Sequence, residues 1–467
     1  MRLPDPETVM RDFRETASAC PGDRTPARSP PSTGATPVCK TPSNSGMKIA
    51  GDKHRIFRVQ YRLIRDDGSA MSALAEKWKL DRQRYFWMYG EDRATEPVAF
   101  DEAAGIWNVY GYAESLYVAN NPQLFSSDLG RLVPERREFD EGALDRLDPP
   151  EHTALRRILA DAFTPRAIDA LEPRIHAITK NLLDRVADRD GFDLIKDFAY
   201  PLPITVIAEL LGIPESDHAL LNGWIDTMMS ITSEFSFGER DESAENELAV
   251  ALDQVRHIAD HLRGHAKDRR VHPREDLLTR LVEGKVDGRP LTDNEAANCA
   301  NVMLVAGHVT TTLLVSNTVL ILDAFPEVDR AVRQDRALIP SLLEESLRYM
   351  SPAASMVRVT NASIELGGVT LEPDQVVMVW IPTANRDQRV FVDPHAFDLN
   401  RDTNPHIGFG RGVHHCLGSV LARREGRIAL NALFDRFPSL SCDPDNPPTF
   451  LSKPNLNGAA RLPVVVG

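Results

Sequence analysis

Cysteine is scarce in this chain, and its scarcity excludes a fold that depends on disulfide bonds for stability. Only five cysteines occur among 467 residues, and they are widely scattered: Cys20, Cys39, Cys299, Cys416 and Cys442. Disulfide-rich secreted domains are short and carry an even number of closely spaced cysteines. We therefore expect the protein to work in a reducing compartment, the cytoplasm.

The chain also lacks an excess of positive charge. Its 54 Lys and Arg residues stand against 68 Asp and Glu residues, which gives a formal net charge of −14. Nucleic acids and anionic lipid surfaces would be repelled by this average field, so we expect neither as a partner. The 42% apolar and 26% charged residues are typical of a globular protein.

Residues 1–46 have almost no apolar run and contain eight prolines. Such a stretch cannot bury enough apolar surface to offset the entropy lost on ordering, so we expect a disordered leader. It lacks the apolar core of a signal peptide, and its acidic residues do not suit a transit peptide. A regulatory tail is the alternative interpretation.

Beyond this leader the pattern predicts a mainly α-helical fold with small β-sheets near each end. Val98–Val109 is typical of a hairpin that turns between Asp101 and Gly105. Leu202–Leu211 is apolar and predicts a helix that stops at Gly212.

Two further segments carry equally clear start and turn signals. Asp148, followed by Pro149 and Pro150, predicts a capping carboxylate and a start for a helix over Arg146–Ala162. Val359–Val379 has strand character on both sides of a turn at Gly367-Gly368.

The longest predicted element is a helix over Asp293–Ala324. Thr292 and Glu295 form a capping box at its start, and Pro326 prevents continuation at its end. The apolar middle could suggest a membrane span, but central polar residues and the absence of a polybasic flank argue against one. We expect a buried central helix, in which Gly307 and the neighbouring threonines open a small polar pocket by bonding backbone carbonyls.

The sharpest local signal is the run Phe409-Gly410-Arg411-Gly412-Val413-His414-His415-Cys416-Leu417-Gly418. Its three glycines predict a tight loop that approaches something flat. A thiol at a helix N-terminus beside His and Arg residues favours the thiolate, which can be a nucleophile, a redox centre or a metal ligand. No second cysteine completes a CxxC pair or a zinc-binding spacing.

This run resembles the haem-binding loop of the cytochrome P450 family. Three other motifs resemble motifs of that family in the same order: Asp148–Thr153, Ala306–Thr311 and Glu345–Arg348. The looser match extends from Val98 to Pro463. The resemblance implies the P450 fold, with haem b (iron protoporphyrin IX) between the long central helix and the cysteine loop, and a single domain over 47–467.

The resemblance also assigns roles to individual residues. Cys416 would be the iron ligand, Phe409 would pack near its thiolate, and Gly410, Gly412 and Gly418 would allow close backbone approach and donate N–H groups to sulfur. Four residues would hold the haem propionates: His152, Arg156, Arg358 and His414. Without the haem motif, each of these would be interpreted as a solvated surface charge.

Other implied roles concern the central helix and a structural ion pair. Thr310, with Thr311 and Gly307, would form the oxygen-binding stretch, where Val309 replaces the usual acid. Protons could pass through the threonines and water, or a polar group on the substrate could complete the relay; the third alternative is an enzyme that activates oxygen poorly. Glu345, Arg348 and Arg401 would form a structural network rather than a catalytic one.

The implied activity is that of a monooxygenase that inserts one atom of O2 into a lipophilic natural product such as a polyketide or terpenoid. Electrons would come from NAD(P)H through a ferredoxin reductase and a ferredoxin, which would dock on a basic patch: Arg411, His414, His415, Arg423, Arg424 and Arg427. We expect a monomer. A peroxide-using or non-oxygenating haem enzyme and a haem-binding protein without turnover are the alternatives.

Three segments should line or cover the substrate pocket according to the resemblance: 125–137, 224–237 and 450–458. Within the second, an apolar lid is predicted from five residues: Met228, Met229, Ile231, Phe235 and Phe237. Ordinary helix packing explains each of these residues equally well.

Overall fold

A computed structural model describes residues 77, 96–102, 104–132, 137–230, 242–451, 453 and 455–467. The predicted leader over 1–46 lies outside the described residues, as do three lid residues, Ile231, Phe235 and Phe237, and the side chains of Met228 and Met229. The described residues form one compact unit.

Helices make up most of the described chain. They are α1 (Tyr112–Asn120), α2 (Arg137–Asp140), α3 (Glu151–Ala160), α4 (Pro165–Asp184), α5 (Pro201–Leu211), α6 (Glu215–Ser230), α7 (Glu242–Val271), α8 (Leu277–Glu283), α9 (Asp293–Ala324), α10 (Pro326–Gln334), α11 (Ile339–Tyr349), α12 (Ile381–Ala384) and α13 (Ser419–Arg436). Short 3₁₀ turns occupy Asp161–Phe163, Arg336–Leu338 and Gly412–His414, and a π-turn occupies Ile195–Ala199.

Strands are short, and most of them lie in 98–126, 355–380 and 440–466, so they are not confined to the two ends of the chain as the sequence predicted. They are β1 (Val98–Asp101), β2 (Ile106–Val109), β3 (Phe125–Ser126), β4 (Gly191–Asp193), β5 (Lys285–Val286), β6 (Arg289–Pro290), β7 (Ser355–Thr360), β8 (Ile364–Leu366), β9 (Val369–Leu371), β10 (Val376–Trp380), β11 (Leu440–Cys442), β12 (Thr449–Phe450), β13 (Ala459–Arg461) and β14 (Pro463–Val466).

The largest sheet has the strand order β1-β2-β10-β7-β3, and only the β2–β10 pair within it is parallel. A second sheet, β11-β14-β4, joins the C-terminal end to the middle of the chain. Three two-stranded hairpins complete the set: β5-β6, β8-β9 and β12-β13. The predicted mainly α-helical fold with small sheets is confirmed.

Local signals placed several element boundaries correctly. Gly212, at φ +78°, ends α5 as predicted, because a left-handed residue closes the last helical turn. The hairpin at Val98–Val109 is formed by β1 and β2, and Gly105 adopts φ +59° in its turn. The strands β7 to β10 cover the predicted segment Val359–Val379.

The long central helix begins and ends where predicted. In α9, the Thr292 hydroxyl accepts a hydrogen bond from the Glu295 N–H, and the Glu295 carboxylate accepts one from the Thr292 N–H, which completes the capping box. Within the described part of the chain, α9 is the one helix long and apolar enough to cross a membrane, and 78% of its most apolar window is buried in the protein. It packs against α5, α7, α11 and α13.

The start of the helix that follows Asp148 was predicted wrongly. Helix α3 begins at Glu151, after the two prolines, and its N-terminus has no side-chain cap. Asp148 instead accepts hydrogen bonds from the Ser126 hydroxyl (2.5 Å) and the Ser127 N–H (2.9 Å). The carboxylate therefore fixes strand β3 and the residue after it against this loop instead of capping the helix.

Candidate active site

A cavity of about 530 Å³ lies between α9, strand β7 and the loop that precedes α13. Thr310 lines it from α9, Arg358 from β7, His152 from α3, and Cys416 from the loop. Elements far apart in sequence thus surround one space. Every residue predicted to hold the haem or its iron lines this cavity except Gly412.

The Cys416 loop is held by its own backbone. The N–H of Cys416 donates to the Phe409 carbonyl (2.8 Å), and the N–H of Gly410 donates to the Ile407 carbonyl (2.8 Å). Gly410 has φ +67°, which favours glycine at this position. A Cβ atom added at Gly418 would meet no atom within 4 Å, so the cavity leaves open space directly beside the thiol.

Gly412 has a different task from the one implied by the resemblance. A Cβ atom at this position would lie 2.2 Å from the Ala119 carbonyl oxygen at the end of α1. Gly412 therefore permits close packing of the loop against α1, and it does not line the cavity.

Burial and nearby charges have opposite effects on the pKa of the Cys416 thiol. Burial raises the pKa of the thiol, while the Gly418 N–H, Arg156 and Arg423 lower it, and burial is the larger effect. The predicted preference for a thiolate is therefore not supplied by the protein alone. Coordination to a metal ion would supply it, because a coordinated thiol loses its proton.

Four basic side chains gather at one end of the cavity. His152 is 1% exposed, Arg358 is 8% exposed, and the His152 and His414 rings lie 4.2 Å apart. Arg156, one turn after His152 on α3, donates to the His415 carbonyl (2.6 Å). Among the described residues, neither ring nitrogen of His152 has a hydrogen-bond partner.

Both imidazoles are neutral at pH 7. Burial, followed by Arg156, lowers the pKa of His152 to about 4. Burial, followed by Arg358 and His152, lowers the pKa of His414 to about 3, and the His414 Nε2 lies 3.0 Å from the Ser127 hydroxyl. Burial likewise lowers the pKa of Arg358.

These observations fit a group that carries two carboxylates. Buried cations and unsatisfied ring nitrogens are costly unless anionic acceptors meet them. The Asp148 carboxylate, which acts electrostatically on His152 and Arg358, is already bonded to Ser126 and Ser127. A haem held at Cys416, with its propionates at this end of the cavity, would supply these anionic acceptors.

On α9, three of the four residues predicted for the oxygen-binding stretch line the cavity. These are Gly307, Thr310 and Thr311. The Thr310 hydroxyl donates to the Ala306 carbonyl (2.7 Å), as predicted. The helix is nevertheless continuous there, so the predicted local opening of α9 is wrong.

Val309 lies elsewhere. It is 8% exposed and belongs to the main apolar core, outside the cavity lining. Because the Val309 side chain points into the core, the absence of an acid at this position does not change the lining of the cavity.

Glu345, Arg348 and Arg401 come together in one buried network. Two Arg348 nitrogens donate to the Glu345 carboxylate at 2.7 and 2.8 Å, and Arg401 approaches the same carboxylate at 3.3 Å. The Asp398 N–H (2.9 Å) and the Asn404 amide (3.0 Å) complete it. The network ties α11 to the chain that leads into the cysteine loop.

The segments predicted to line the substrate pocket contribute unevenly. Ser127 and Leu129 line the cavity from 125–137, and Asn455 lines it from 450–458. Of the side chains described within 224–237, none reaches the cavity.

The structure adds a residue that the sequence reasoning missed. Glu425 on α13 lines the cavity, is fully buried, and has one carboxylate oxygen, Oε2, without a described partner. Burial alone raises its pKa to about 8, so the carboxyl is protonated at neutral pH. One feature of the sequence could have identified it: Glu425 is an acidic residue one turn after Leu421, on the inward face of α13.

The basic patch counted from the sequence is largely neutralised in space. Arg423 pairs with Glu344 (2.6 Å), Arg427 pairs with Glu172 (2.8 Å), and Arg424 pairs with Asp169 (2.5 Å) and with Glu172. His414 faces the cavity, and burial lowers the pKa of His415. The patch therefore carries much less positive charge than six basic residues suggest.

Comparison with known proteins agrees with this geometry. The family model described as Cytochrome P450 matches residues 103–464. A cyclomarin C epoxidase from Salinispora arenicola is 41% identical over 367 residues, which cover 78% of this chain and 91% of that protein. The erythromycin C-12 hydroxylase of Saccharopolyspora erythraea is 38% identical, with coverage of 81% and 93%.

Solved structures give the same result. HmtN, a post-tailoring hydroxylase involved in himastatin biosynthesis, is 46% identical, with a TM-score of 0.77 over 85% of this chain and all of that one. A mutant of EryK in complex with erythromycin B is 36% identical, with a TM-score of 0.74 over 85% of this chain and 98% of that one.

Proposed function

Because this chain belongs to the cytochrome P450 family of haem-dependent monooxygenases, we propose that it hydroxylates or epoxidises a largely apolar natural product inside the cavity beside Cys416 and Thr310. One observation carries the proposal: the half-buried Cys416 thiol, a cationic end and a threonine-bearing helix surround the same space of about 530 Å³. That volume suits one small molecule together with the cofactor's reactive face.

We propose that the cofactor is iron protoporphyrin IX, held by Cys416 at the metal. Four groups would hold its propionates: Arg156, Arg358, His152 and His414. When bound, a thiolate-ligated haem would use O2, two electrons and two protons to insert one oxygen atom into a C–H or C=C bond and release the other as water.

The chain's own contribution to proton delivery centres on Thr310. Its hydroxyl donates a hydrogen bond to the Ala306 carbonyl, so the lone pairs of the hydroxyl oxygen can accept a hydrogen bond from a donor in the cavity. With Val309 in the core, we propose that Thr310, Thr311 and cavity water hold and pass protons. A polar group on the substrate completes this route.

Apolar residues in the cavity wall favour an apolar ligand. Val302, Met303, Met356, Met378 and Ile381 line it, and methionines adapt to irregular apolar shapes. The relatives named above include an epoxidase of cyclomarin C and a hydroxylase of erythromycin. By analogy we propose a natural product of secondary metabolism, such as a polyketide or terpenoid.

We propose a cytoplasmic monomer that receives electrons from NAD(P)H through a ferredoxin reductase and a ferredoxin. Since Arg423, Arg424 and Arg427 are paired with acids, long-range steering of an acidic donor should be weak. We expect the rate of electron transfer from ferredoxin to change less than tenfold between about 50 and 300 mM salt. Stopped-flow reduction measures this rate, and a steeper fall would mean that other basic groups guide docking.

The first test is the absorption spectrum of the reduced, CO-bound holoenzyme. A thiolate-ligated band is expected, and it should disappear in Cys416→Ser. If the native protein lacked this band, the proposal would be refuted.

The second test separates turnover from mere binding. Candidate natural products that perturb the haem spectrum are incubated with NADPH, ferredoxin and reductase, and mass spectrometry looks for products that gain one oxygen atom. Labelling with ¹⁸O2 identifies the oxygen source. Product labelled only from peroxide, or spectral binding without NADPH consumption, would favour the alternatives given above.

A further inference from the structure

A cluster of three metal-ligating side chains lies outside the active site, between helices α6 and α7. Asp217 is in the first turn of α6, and His261 and His265 lie one turn apart on α7. The histidine Nε2 atoms and the Asp217 Oδ2 atom all lie within 4.8 Å of one another. None of the three residues lines the cavity that contains Cys416.

We propose that Asp217, His261 and His265 bind a divalent transition-metal cation, of which zinc is the best match, and that this cation clamps α6 to α7. The i,i+4 spacing of the histidines places both rings on one face of α7, toward Asp217 on the neighbouring helix. Two imidazoles and one carboxylate form a donor set that suits zinc and its late first-row neighbours better than magnesium or calcium.

The distances agree with this assignment. The two Nε2 atoms are 3.3 Å apart. Two donors of a tetrahedral zinc, each about 2.0–2.1 Å from the metal, are separated by about the same distance. The Asp217 Oδ2 atom lies 2.8 Å from His261 and 2.9 Å from His265, so it would move outward by about half an ångström to admit the ion.

The surroundings hold the donors in place and leave an entry path. The Ser216 hydroxyl bonds to the other oxygen of Asp217 (2.9 Å), and the Trp224 ring packs against His261 with ring centroids 5.6 Å apart. Such outer contacts orient metal ligands. The three side chains are 19–26% exposed, which leaves room for water as the fourth ligand.

Convergence of two rings on one oxygen distinguishes this cluster from ordinary ion pairs of the same helix. His272 and Asp268, for example, form a single i,i+4 pair at 3.1 Å without a second imidazole. His272 follows the last residue of α7, and it is a control histidine that has a carboxylate partner but no second imidazole.

A cation at this site would act on the two helices rather than on the chemistry. Helix α7 packs on α9, which carries Thr310, and α6 is joined to α7 through residues 231–241. A metal link between α6 and α7 would therefore stabilise the helix pair beside the central helix.

The test is zinc binding to the EDTA-treated, haem-loaded full chain, measured by calorimetry with ZnCl2. We expect one site that MgCl2 does not fill, and a zinc-dependent rise in the melting temperature. The variants Asp217→Asn, His261→Gln and His265→Gln should each weaken zinc binding about 100-fold, whereas His272→Gln should bind as the native protein does.

Zinc K-edge absorption of the loaded protein should show two imidazole nitrogens and a carboxylate oxygen at about 2.0–2.1 Å. Equal zinc affinity in the native protein and in His261→Gln with His265→Gln would overturn the proposal, and the cluster would then be a hydrogen-bonded triad only. Loss of zinc binding in His272→Gln to the same extent would also overturn it. Far-UV circular dichroism and the haem spectrum verify that each variant is folded.

Discussion

The imidazole rings of His152 and His414 lie with their centroids 4.2 Å apart, at an interplanar angle of 48°. One ring is on the first turn of α3, and the other is in the turn before Cys416. Both are neutral because burial and nearby arginines lower their pKa values. This pair joins two distant parts of the chain at the end of the cavity that we assign to the haem carboxylates.

Removing the charge of Arg358 should weaken haem retention. A charged donor to a carboxylate contributes about 1.5–3 kcal/mol, so Arg358→Gln should release haem roughly 10–100-fold more readily. Transfer of haem to apomyoglobin measures this release. Arg174→Gln is the control, since Arg174 pairs with Glu209 on the exposed surface; equal release from both variants would contradict the assignment.

Removing Glu345 should prevent stable folding. The substitution Glu345→Ala leaves the fully buried Arg348 guanidinium without its carboxylate, and breaking a buried pair costs about 3–5 kcal/mol. We expect poorly folded protein without haem, measured by soluble yield and haem content. The exposed Glu365→Ala is the matched control, and soluble Glu345→Ala with full haem content would refute the prediction.

Removing the Thr310 hydroxyl should separate electron consumption from product formation. We expect Thr310→Val to lower product formation about 10²-fold or more, while NADPH consumption continues and yields hydrogen peroxide. The measurement is the ratio of product to NADPH consumed.

Thr312→Val is the control for Thr310→Val. The Thr312 hydroxyl makes the same kind of bond one turn back, to the His308 carbonyl at 3.0 Å, but this residue does not line the cavity. It should therefore remain well coupled. Equal uncoupling in both variants would indicate that the substitutions act by disturbing the helix, and not by removing a group that passes protons.

Glu425 should make the protein less stable as the pH rises. Its pKa in the folded protein is about 8, against an ordinary value of 4.5, so between these values the folded state holds a proton that the unfolded state has lost. The free energy of unfolding should therefore decrease from pH 4.5 to pH 8. In Glu425→Gln this decrease should be smaller.

Urea unfolding of both proteins at pH 5.5 and pH 8 tests the Glu425 prediction. The variant should gain stability relative to the native protein at the higher pH, while its haem content stays unchanged at pH 7. Parallel pH profiles would show that the carboxyl finds a partner that keeps it charged. The exposed Glu365→Gln serves as the reference.

By itself, the sequence determined the features that depend on neighbours along the chain. The capping box of Thr292 and Glu295 and the stop at Gly212 were placed correctly, because a cap or a left-handed turn satisfies backbone groups only a few residues away. The glycine pattern around Cys416 also identified the loop that faces the cavity, and with it the family.

Only the tertiary structure decided which distant groups meet. Asp148 bonds to Ser126 and Ser127 instead of capping α3, and Val309 faces the core instead of the cavity. The charges of Arg424 and Arg427 are largely neutralised by ion pairs with acids on α4, and the Asp217 carboxylate contacts two histidines of α7. The physical reason is that helix packing sets these contacts, and no local pattern encodes which side chains of two remote helices will face each other.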